Sequence, residues 1–300
     1  MIIDAHQHAF WHGKDDHGLV ADLDAQGIAK AWLLAWDIPP DQDEAGYHSC
    51  LNPEHVRPDG THAGIPLSDL LRAREHYPDR FLVGYCPNPA LGHPAATFES
   101  AYRIHGVRLC GEWKYRMLFD DPRCLELFRC AGRLGCPVTL HLDIPYLPDG
   151  KGGKPFCRTW YGGTVENLER ALIACPQTTF IGHAPGFWRE ISGDADSAPG
   201  YYPKGPITPG ARLPALFERY SNLMADLSAG SALGALKRDP KHATEFLIRF
   251  ADRLLFARDY YGSDLNDFLK TLKLPKKVRE QVYSGNALRL MAAAEAGAKK

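Results

Sequence analysis

Residues 121–143 read DPRCLELFRCAGRLGCPVTLHLD, and this stretch decides the fold. Residues 121–135 have the apolar period of an amphipathic helix, with Asp121 and Pro122 at its start and Gly135 at its end. Residues 136–143 then form a short apolar run that is typical of a buried strand. A helix that leads directly into a buried strand predicts a parallel α/β sheet, because parallel strands need such crossovers.

Short β-rich runs of this kind recur along the chain, with amphipathic stretches between most of them. The predicted strands are 2–8, 29–36, 80–86, 106–113, 136–143, 178–184, 223–229 and 253–260. Such units close into a (β/α)8 TIM barrel, and 300 residues fall within the usual range for one such domain. We therefore predict an α/β fold with a single domain over residues 1–300.

Two connections are longer than ordinary loops, at about 143–163 and 184–212. Both follow the C-terminal end of a predicted strand, and that end of a barrel carries the active site. Their glycine, proline and aromatic content favours ordered loops that roof a pocket, with a disordered insertion as the alternative.

The composition excludes several classes of partner. Thirty-five basic residues nearly balance 36 acidic ones, so no strong field would recruit nucleic acid or an anionic membrane. The chain begins MIIDAHQH, which lacks the basic start and apolar stretch of a secretory signal and favours a cytoplasmic protein. The eight cysteines form no C-x-x-C pair and are interpreted as reduced, mostly buried thiols. A small-molecule substrate fits best.

Histidines and one aspartate mark a predicted metal site. His6 and His8 lie two apart on a strand, so both imidazoles lie on one side, and Asp4 is expected to join them. His141, His183 and Asp259 each fall near the C-terminal end of a separate predicted strand. A lone H-x-H pair is more often surface histidine, but this set would be costly to bury without a bound metal.

These residues also carry a resemblance. The chain is similar over nearly its full length to the amidohydrolase-related family, in the branch that includes aminocarboxymuconate semialdehyde decarboxylase. The matching motifs are IDAHQH, residues 120–143 ending near His141, FIGHAPG, NLMADLSAG, LLFARD and SGNALRL. The resemblance implies His6, His8, His141 and Asp259 as ligands of a divalent metal, most commonly Zn²⁺, with Mn²⁺ or another ion as options. It implies His183 as a catalytic imidazole or a further ligand.

Two positions qualify this resemblance. Such proteins usually have Gly-Ser-Asp or Gly-Thr-Asp on the last strand, whereas this chain has Ala257, Arg258 and Asp259. Glu112 resembles the strand-four glutamate of TatD-like deoxyribonucleases, which can bridge two metals. The alternative for Glu112 is a salt bridge to Lys114 or Arg116, so the site is expected to hold one or two ions.

The predicted function is metal-dependent hydrolysis of an amide, lactone or ester bond in a small organic molecule, with metal-activated water as the nucleophile. Asp259 would carry the proton and His183 would stabilise the developing oxyanion. The first alternative is non-oxidative decarboxylation of a small aromatic or enol carboxylate, for which Arg116, Arg189 or Arg258 could pair with the carboxylate. A barrel that binds a ligand without catalysis is the second alternative.

Aromatic residues concentrate just after the predicted strand ends, which suggests a flat or apolar substrate, although such residues also pack barrels against helices. The residues expected to contact substrate are Trp11, Trp113, Arg258 and Tyr260. The oligomeric state is open, with a homo-oligomer among the options.

Overall fold

Eight short strands form the centre of the molecule in the computed structural model, which describes residues 1–297. They are β1 (Ile3–Gln7), β2 (Lys30–Leu34), β3 (Phe81–Gly84), β4 (Cys110–Trp113), β5 (Val138–His141), β6 (Phe180–His183), β7 (Leu223–Asp226) and β8 (Leu254–Leu255). Each lies inside one of the predicted segments, and every recorded pairing between them is parallel. The predicted (β/α)8 fold is confirmed.

The ring of strands consists of two arcs. One sheet has the order β1-β2-β3 and the other has the order β4-β5-β6-β7-β8. Backbone hydrogen bonds cross both junctions: Tyr85 donates to Leu109 at 3.0 Å, and Ala5 donates to Phe256 at 2.9 Å. Because the arcs meet in this way, the C-terminal ends of all eight strands face one region.

Helices follow the strands and cover the outside of the ring. They are α1 (Asp16–Ala25), α2 (Leu67–His76), α3 (Pro94–His105), α4 (Pro122–Arg133), α5 (Val165–Ala174), α6 (Pro185–Trp188), α7 (Arg212–Arg219), α8 (Ala229–Lys237), α9 (Pro240–Arg249), α10 (Asp264–Thr271), α11 (Lys276–Glu280) and α12 (Asn286–Gly297). A short antiparallel pair, Trp36–Asp37 with Gly64–Ile65, follows β2.

Two apolar layers hold this arrangement together. Trp32, Ile181, Met224 and Leu255 belong to a small cluster formed by the strands and α12. A much larger cluster packs the strands against the surrounding helices, with Phe128 of α4 among its fully buried members. Burial of this apolar surface is the main stabilising term of the fold.

The cysteines agree with the sequence prediction, and the two long loops make internal hydrogen bonds. All eight cysteines are free, and seven of them are buried. The loop at 143–163 carries paired backbone bonds between Asp143 and Tyr161, and Arg189 donates to the carbonyls of Ala195 and Ala198 in the loop at 184–212. Both connections therefore make hydrogen bonds within the protein. Within residues 1–297, the helices are too short or too polar to cross a bilayer.

Candidate metal centre

The first two histidines extend from β1 and its C-terminal end. His6 Nδ1 lies 2.8 Å from Asp226 Oδ2, and His8 Nδ1 lies 2.7 Å from the Leu34 carbonyl oxygen. A carbonyl only accepts hydrogen bonds, so His8 donates through Nδ1 and keeps a lone pair on Nε2 in its neutral form. The Nε2 atoms of both rings approach Asp259 Oδ1, at 3.9 Å from His6 and 3.4 Å from His8.

The other two histidines end β5 and β6. His183 Nδ1 lies 3.0 Å from Asp226 Oδ1, and its Nε2 lies 3.7 Å from Asp259 Oδ2. His141 is turned the other way, because its Nε2 lies 2.9 Å from Asp143 Oδ2 and its Nδ1 faces Glu112. Each of the four rings thus has one nitrogen held by an acceptor and the other directed toward the Glu112 and Asp259 carboxylates.

Glu112 lies between two pairs of histidines. Its Oε2 atom is 4.0 Å from His6 Nε2 and 3.6 Å from His8 Nε2. Its Oε1 atom is 2.5 Å from His141 Nδ1 and 3.8 Å from His183 Nε2. The two oxygens of one carboxylate therefore serve different histidine pairs, which is the arrangement that a ligand shared by two ions needs.

Charge balance in this cluster is set by the carboxylates. Burial alone would raise the pKa of Glu112, but His141 and Lys114 hold it well below its usual range. Burial likewise disfavours the charged form of His183, yet the Asp226, Glu112 and Asp259 carboxylates outweigh that effect and raise its pKa. In the absence of a cation, protons compensate the negative charges.

Among the side chains predicted to bind metal, two buried atoms have no hydrogen-bond partner within the described residues. They are His6 Nε2 and Asp259 Oδ1. An unpartnered buried nitrogen and carboxylate oxygen, 3.9 Å apart, are costly unless something binds them. Histidine nitrogens and carboxylate oxygens together suit Zn²⁺ and Mn²⁺, so the residues fit a divalent metal.

Asp259 owes its position to an uncommon backbone conformation. Its φ angle is +51°, in the left-handed region that few residues other than glycine adopt. Its N–H donates to the His6 carbonyl oxygen at 2.9 Å, which links the segment after β8 to β1. Positive φ at a non-glycine residue concentrates at functional sites, where the surroundings enforce it.

Four predicted substrate contacts lie in different environments. Trp11 and Tyr260 line a cavity of about 300 Å³ together with Asp259, and Arg258 also borders it. Trp113 is wrong as a substrate contact: it is fully buried and packs on Phe119 at a ring separation of 4.8 Å. Neighbouring residues of an extended strand alternate in direction, so Trp113 faces the helices when Glu112 faces the site.

The arginines expected near the substrate carboxylate already make ion pairs or hydrogen bonds within the protein. Arg258 Nε binds Asp4 Oδ2 and its Nη1 binds Asp22 Oδ2, both at 2.7 Å. Asp4 therefore pairs with Arg258 instead of joining the histidines, and the register of β1 against β2 shifts between Asp4 and Gln7. Such an irregularity redirects side chains relative to a regular pleat.

The other two arginines also have partners. Arg116 pairs with Glu44 and donates to the Gln42 carbonyl, and Arg189 is buried against loop carbonyls. Neither is free to hold a substrate carboxylate in this conformation. A larger groove of about 680 Å³ runs along Ile65, Tyr85 and Ile104 and contains none of the histidines of the cluster.

Sequence reasoning missed several residues that organise the site. Asp226 contacts both His6 and His183, Ser228 Oγ lies 2.7 Å from His183 Nδ1, and Asp143 holds His141. Asp226 lies in the middle of the predicted strand 223–229, and only the structure shows that the strand ends at this residue. The rule that selected Asp259 near a strand end therefore did not select Asp226.

Comparison with known proteins agrees with this architecture. The amidohydrolase family model (Amidohydro_2) matches residues 3–291, and the chain belongs to this family. No curated protein matches the sequence.

Solved structures similar to the chain share the fold at low identity. An uncharacterised TIM-barrel protein from Bordetella bronchiseptica has 18% identity and a TM-score of 0.65, covering 98% of this chain and 99% of its own. A protein assigned as a 2-pyrone-4,6-dicarboxylic acid hydrolase from Pseudomonas putida has 14% identity and a TM-score of 0.59, covering 97% of each chain. A dihydroxybenzoic acid decarboxylase from Polaromonas sp. JS666, with bound manganese and the inhibitor 2-nitroresorcinol, has 18% identity and a TM-score of 0.54, covering 91% and 85%. The neighbours thus include both reaction types.

Proposed function

We propose that this protein is a metal-dependent hydrolase that cleaves an amide, lactone or ester bond of a small organic molecule. The observation that carries the proposal is the shared orientation of four histidines. His6, His8, His141 and His183 each have one ring nitrogen held by an acceptor and the other directed toward Glu112 or Asp259. Outer acceptors that fix imidazoles in this way are typical of metal ligands.

The proposed ligands fall into two sets that share Glu112. His6, His8 and Asp259 would hold one ion, and His141 and His183 would hold a second. Zn²⁺ and Mn²⁺ both suit these donors. A bound divalent ion would polarise a carbonyl oxygen and lower the pKa of a water molecule toward neutrality.

Asp259 is the proposed proton carrier. Burial opposes ionisation, but the adjacent His6 and His8 lower the pKa of Asp259, so it is ionised at neutral pH. An ionised carboxylate can accept the proton of the attacking water and return it to the leaving group. His183 presents Nε2 to the same region, either as a ligand or, when protonated, as a donor to the developing oxyanion.

Decarboxylation is the second candidate. It would need a cation for the carboxylate, and Arg116, Arg189 and Arg258 are all engaged within the protein. This occupancy supports hydrolysis over decarboxylation. Lys114 is the observation that favours the alternative, since its ammonium lies near the site without an ion-pair partner within 4.0 Å in residues 1–297.

A product assay decides between the two reactions. Metal-loaded protein is incubated with a panel of lactones, esters and amides and with a panel of aromatic and enol carboxylates. We expect acid release from the first panel and no CO₂ from the second. CO₂ from a carboxylate without turnover of any acyl compound would establish the decarboxylase instead, and no turnover of either panel would favour a binding protein.

A further inference from the structure

Lys114 lies in an aromatic cup next to the metal centre. Its Nζ atom is 3.8 Å from the ring centre of Trp36, 4.8 Å from that of Tyr47 and 5.3 Å from that of Tyr161. We call these four residues the Lys114 cup. They come from segments that follow three different strands, and Lys114 itself directly follows β4. The cup is therefore assembled by the C-terminal rim of the barrel.

The cup adjoins the metal centre through two of its members. The ring of Tyr161 makes an edge contact with His141 at a centroid separation of 5.3 Å. Lys114 is two residues beyond Glu112, about 7 Å along an extended backbone, and its charge helps to lower the pKa of Glu112. A molecule that reached from the Lys114 ammonium to Glu112 would thus be small.

The ammonium of Lys114 is buried and makes no close ion pair within residues 1–297. The residue is 7% exposed, and no carboxylate of residues 1–297 lies within 4.0 Å of Nζ. Aromatic rings stabilise a cation through their negative faces but replace only part of its hydration. Arg116, Arg189 and Arg258 each have a carboxylate or carbonyl partner. The buried Nη2 of Arg258 has no hydrogen-bond partner within residues 1–297, but its Nε and Nη1 are held by carboxylates. Lys114 is therefore the cation that oxygen acceptors engage least.

We propose that the Lys114 cup binds a carboxylate group of the substrate and holds the remainder of the molecule against the metal centre. The carboxylate subsite rests on the proposed function in one respect, which is that the metal centre is taken as the place where the substrate reacts. A single ammonium near the Glu112 carboxylate suits a monoanion better than a phosphate dianion, which that carboxylate would repel more strongly. The substrate class is therefore a small carboxylic acid with a flat or apolar body.

The alternative role for Lys114 is to offset the charge of Glu112 without contacting substrate. In that case removal of the lysine would alter metal content but would not distinguish a carboxylate ligand from its neutral amide. The two roles thus differ in ligand selectivity, which can be measured without knowing the natural substrate.

Binding of benzoate and benzamide to metal-loaded protein tests the proposal by calorimetry. We expect the wild type to bind benzoate more tightly than benzamide. Lys114→Met should weaken benzoate binding by roughly 10- to 100-fold, as loss of a charged hydrogen bond does, and leave benzamide binding unchanged. Lys114→Arg should retain part of the preference. Lys154→Met, which removes an exposed lysine from the loop at 143–163, is the matched charge control and should behave as wild type.

Equal affinity of the wild type for benzoate and benzamide, or unchanged benzoate affinity in Lys114→Met, would overturn the proposal. Metal content is measured on the same samples and is expected to be the same in Lys114→Met and wild type. The hydrolase assignment fails separately, if the wild type binds no metal or turns over no lactone, ester or amide. The carboxylate subsite and the reaction type are therefore tested by different readouts.

Discussion

Asp226 joins two histidines of the metal centre through one buried carboxylate. Its Oδ2 lies 2.8 Å from His6 Nδ1 and its Oδ1 lies 3.0 Å from His183 Nδ1. Asp226→Asn would replace one acceptor oxygen by a donor, so one ring would lose the contact that directs its Nε2. We expect metal affinity to fall roughly 10- to 100-fold. Chelator competition measures this, with the exposed Asp252→Asn as control, and an unchanged affinity would remove Asp226 from the site.

The pH dependence of metal binding follows from the shifted histidines. In the metal-free protein, burial and neighbouring cations oppose protonation, but Asp259 and Asp226 raise the pKa of His6, and Asp226 raises that of His183. The carboxylates Glu112 and Asp259 have lowered pKa values and remain ionised near neutrality. Protons therefore compete with metal at the imidazoles.

Metal affinity should accordingly increase with pH through and above the ordinary histidine range, and it should decrease as the pH falls through the raised histidine pKa values. Chelator competition at several pH values between about 6 and 9 measures the slope. A pH-independent affinity over that range would mean that the histidines are not the ligands that lose protons on binding.

Individual site residues differed in how far the sequence predicted them. His6 and His8 were predicted because residues two apart on a strand share a face, and His141, His183 and Asp259 because a strand end in a barrel faces the active site. The orientation of His141, with Nδ1 inward, depends on Asp143 and could not be read from spacing. Lys114 was considered only as a partner of Glu112, since nothing in the sequence brings Trp36 and Tyr161 around it.

The connection between β1, α1 and the segment after β8 depends on Arg258. Its guanidinium binds Asp4, which is fully buried, and Asp22 on α1. Arg258→Met would leave the Asp4 carboxylate buried without its cation, so we expect a loss of roughly 3 to 5 kcal/mol in the free energy of unfolding. Denaturant unfolding measures the change.

The double variant Arg258→Met with Asp4→Asn separates this explanation from a general packing defect. Removing the buried charge should recover part of the lost stability, because the two residues are coupled. A loss below about 1 kcal/mol in Arg258→Met would contradict the structural role and reopen its assignment as a substrate contact.

The elements themselves were predictable, but their irregularities were not. Short apolar runs located all eight barrel strands, since each buried strand must be apolar over several residues. The predicted grouping of Asp4 with His6 and His8 failed because the pairing of β1 shifts register after Asp4. The interpretation of Trp113 failed because an aromatic residue at a strand end can face either the pocket or the helices.

At the scale of the whole molecule, one apolar layer packs helices from α1 to α11 against the strands. We propose that residues 1–297 act as one domain, in which case thermal unfolding is a single cooperative transition. Chelation should lower the melting temperature by roughly 5 to 10 °C without changing the number of transitions, since bound metal stabilises only the folded state. Calorimetry with and without chelator measures this, and two resolved transitions would contradict a single domain.

The metal content of the purified protein tests the central claim most directly. Elemental analysis is carried out on wild type, Glu112→Gln, His6→Ala and, as a surface control, His242→Ala, with circular dichroism to confirm that each is folded. We predict stoichiometric divalent metal in wild type and His242→Ala, and a loss of most of it in His6→Ala and Glu112→Gln, since His6 and Glu112 lie at the centre of the cluster. Full metal content in folded His6→Ala, or none in the wild type after loading with Zn²⁺ or Mn²⁺, would contradict the account.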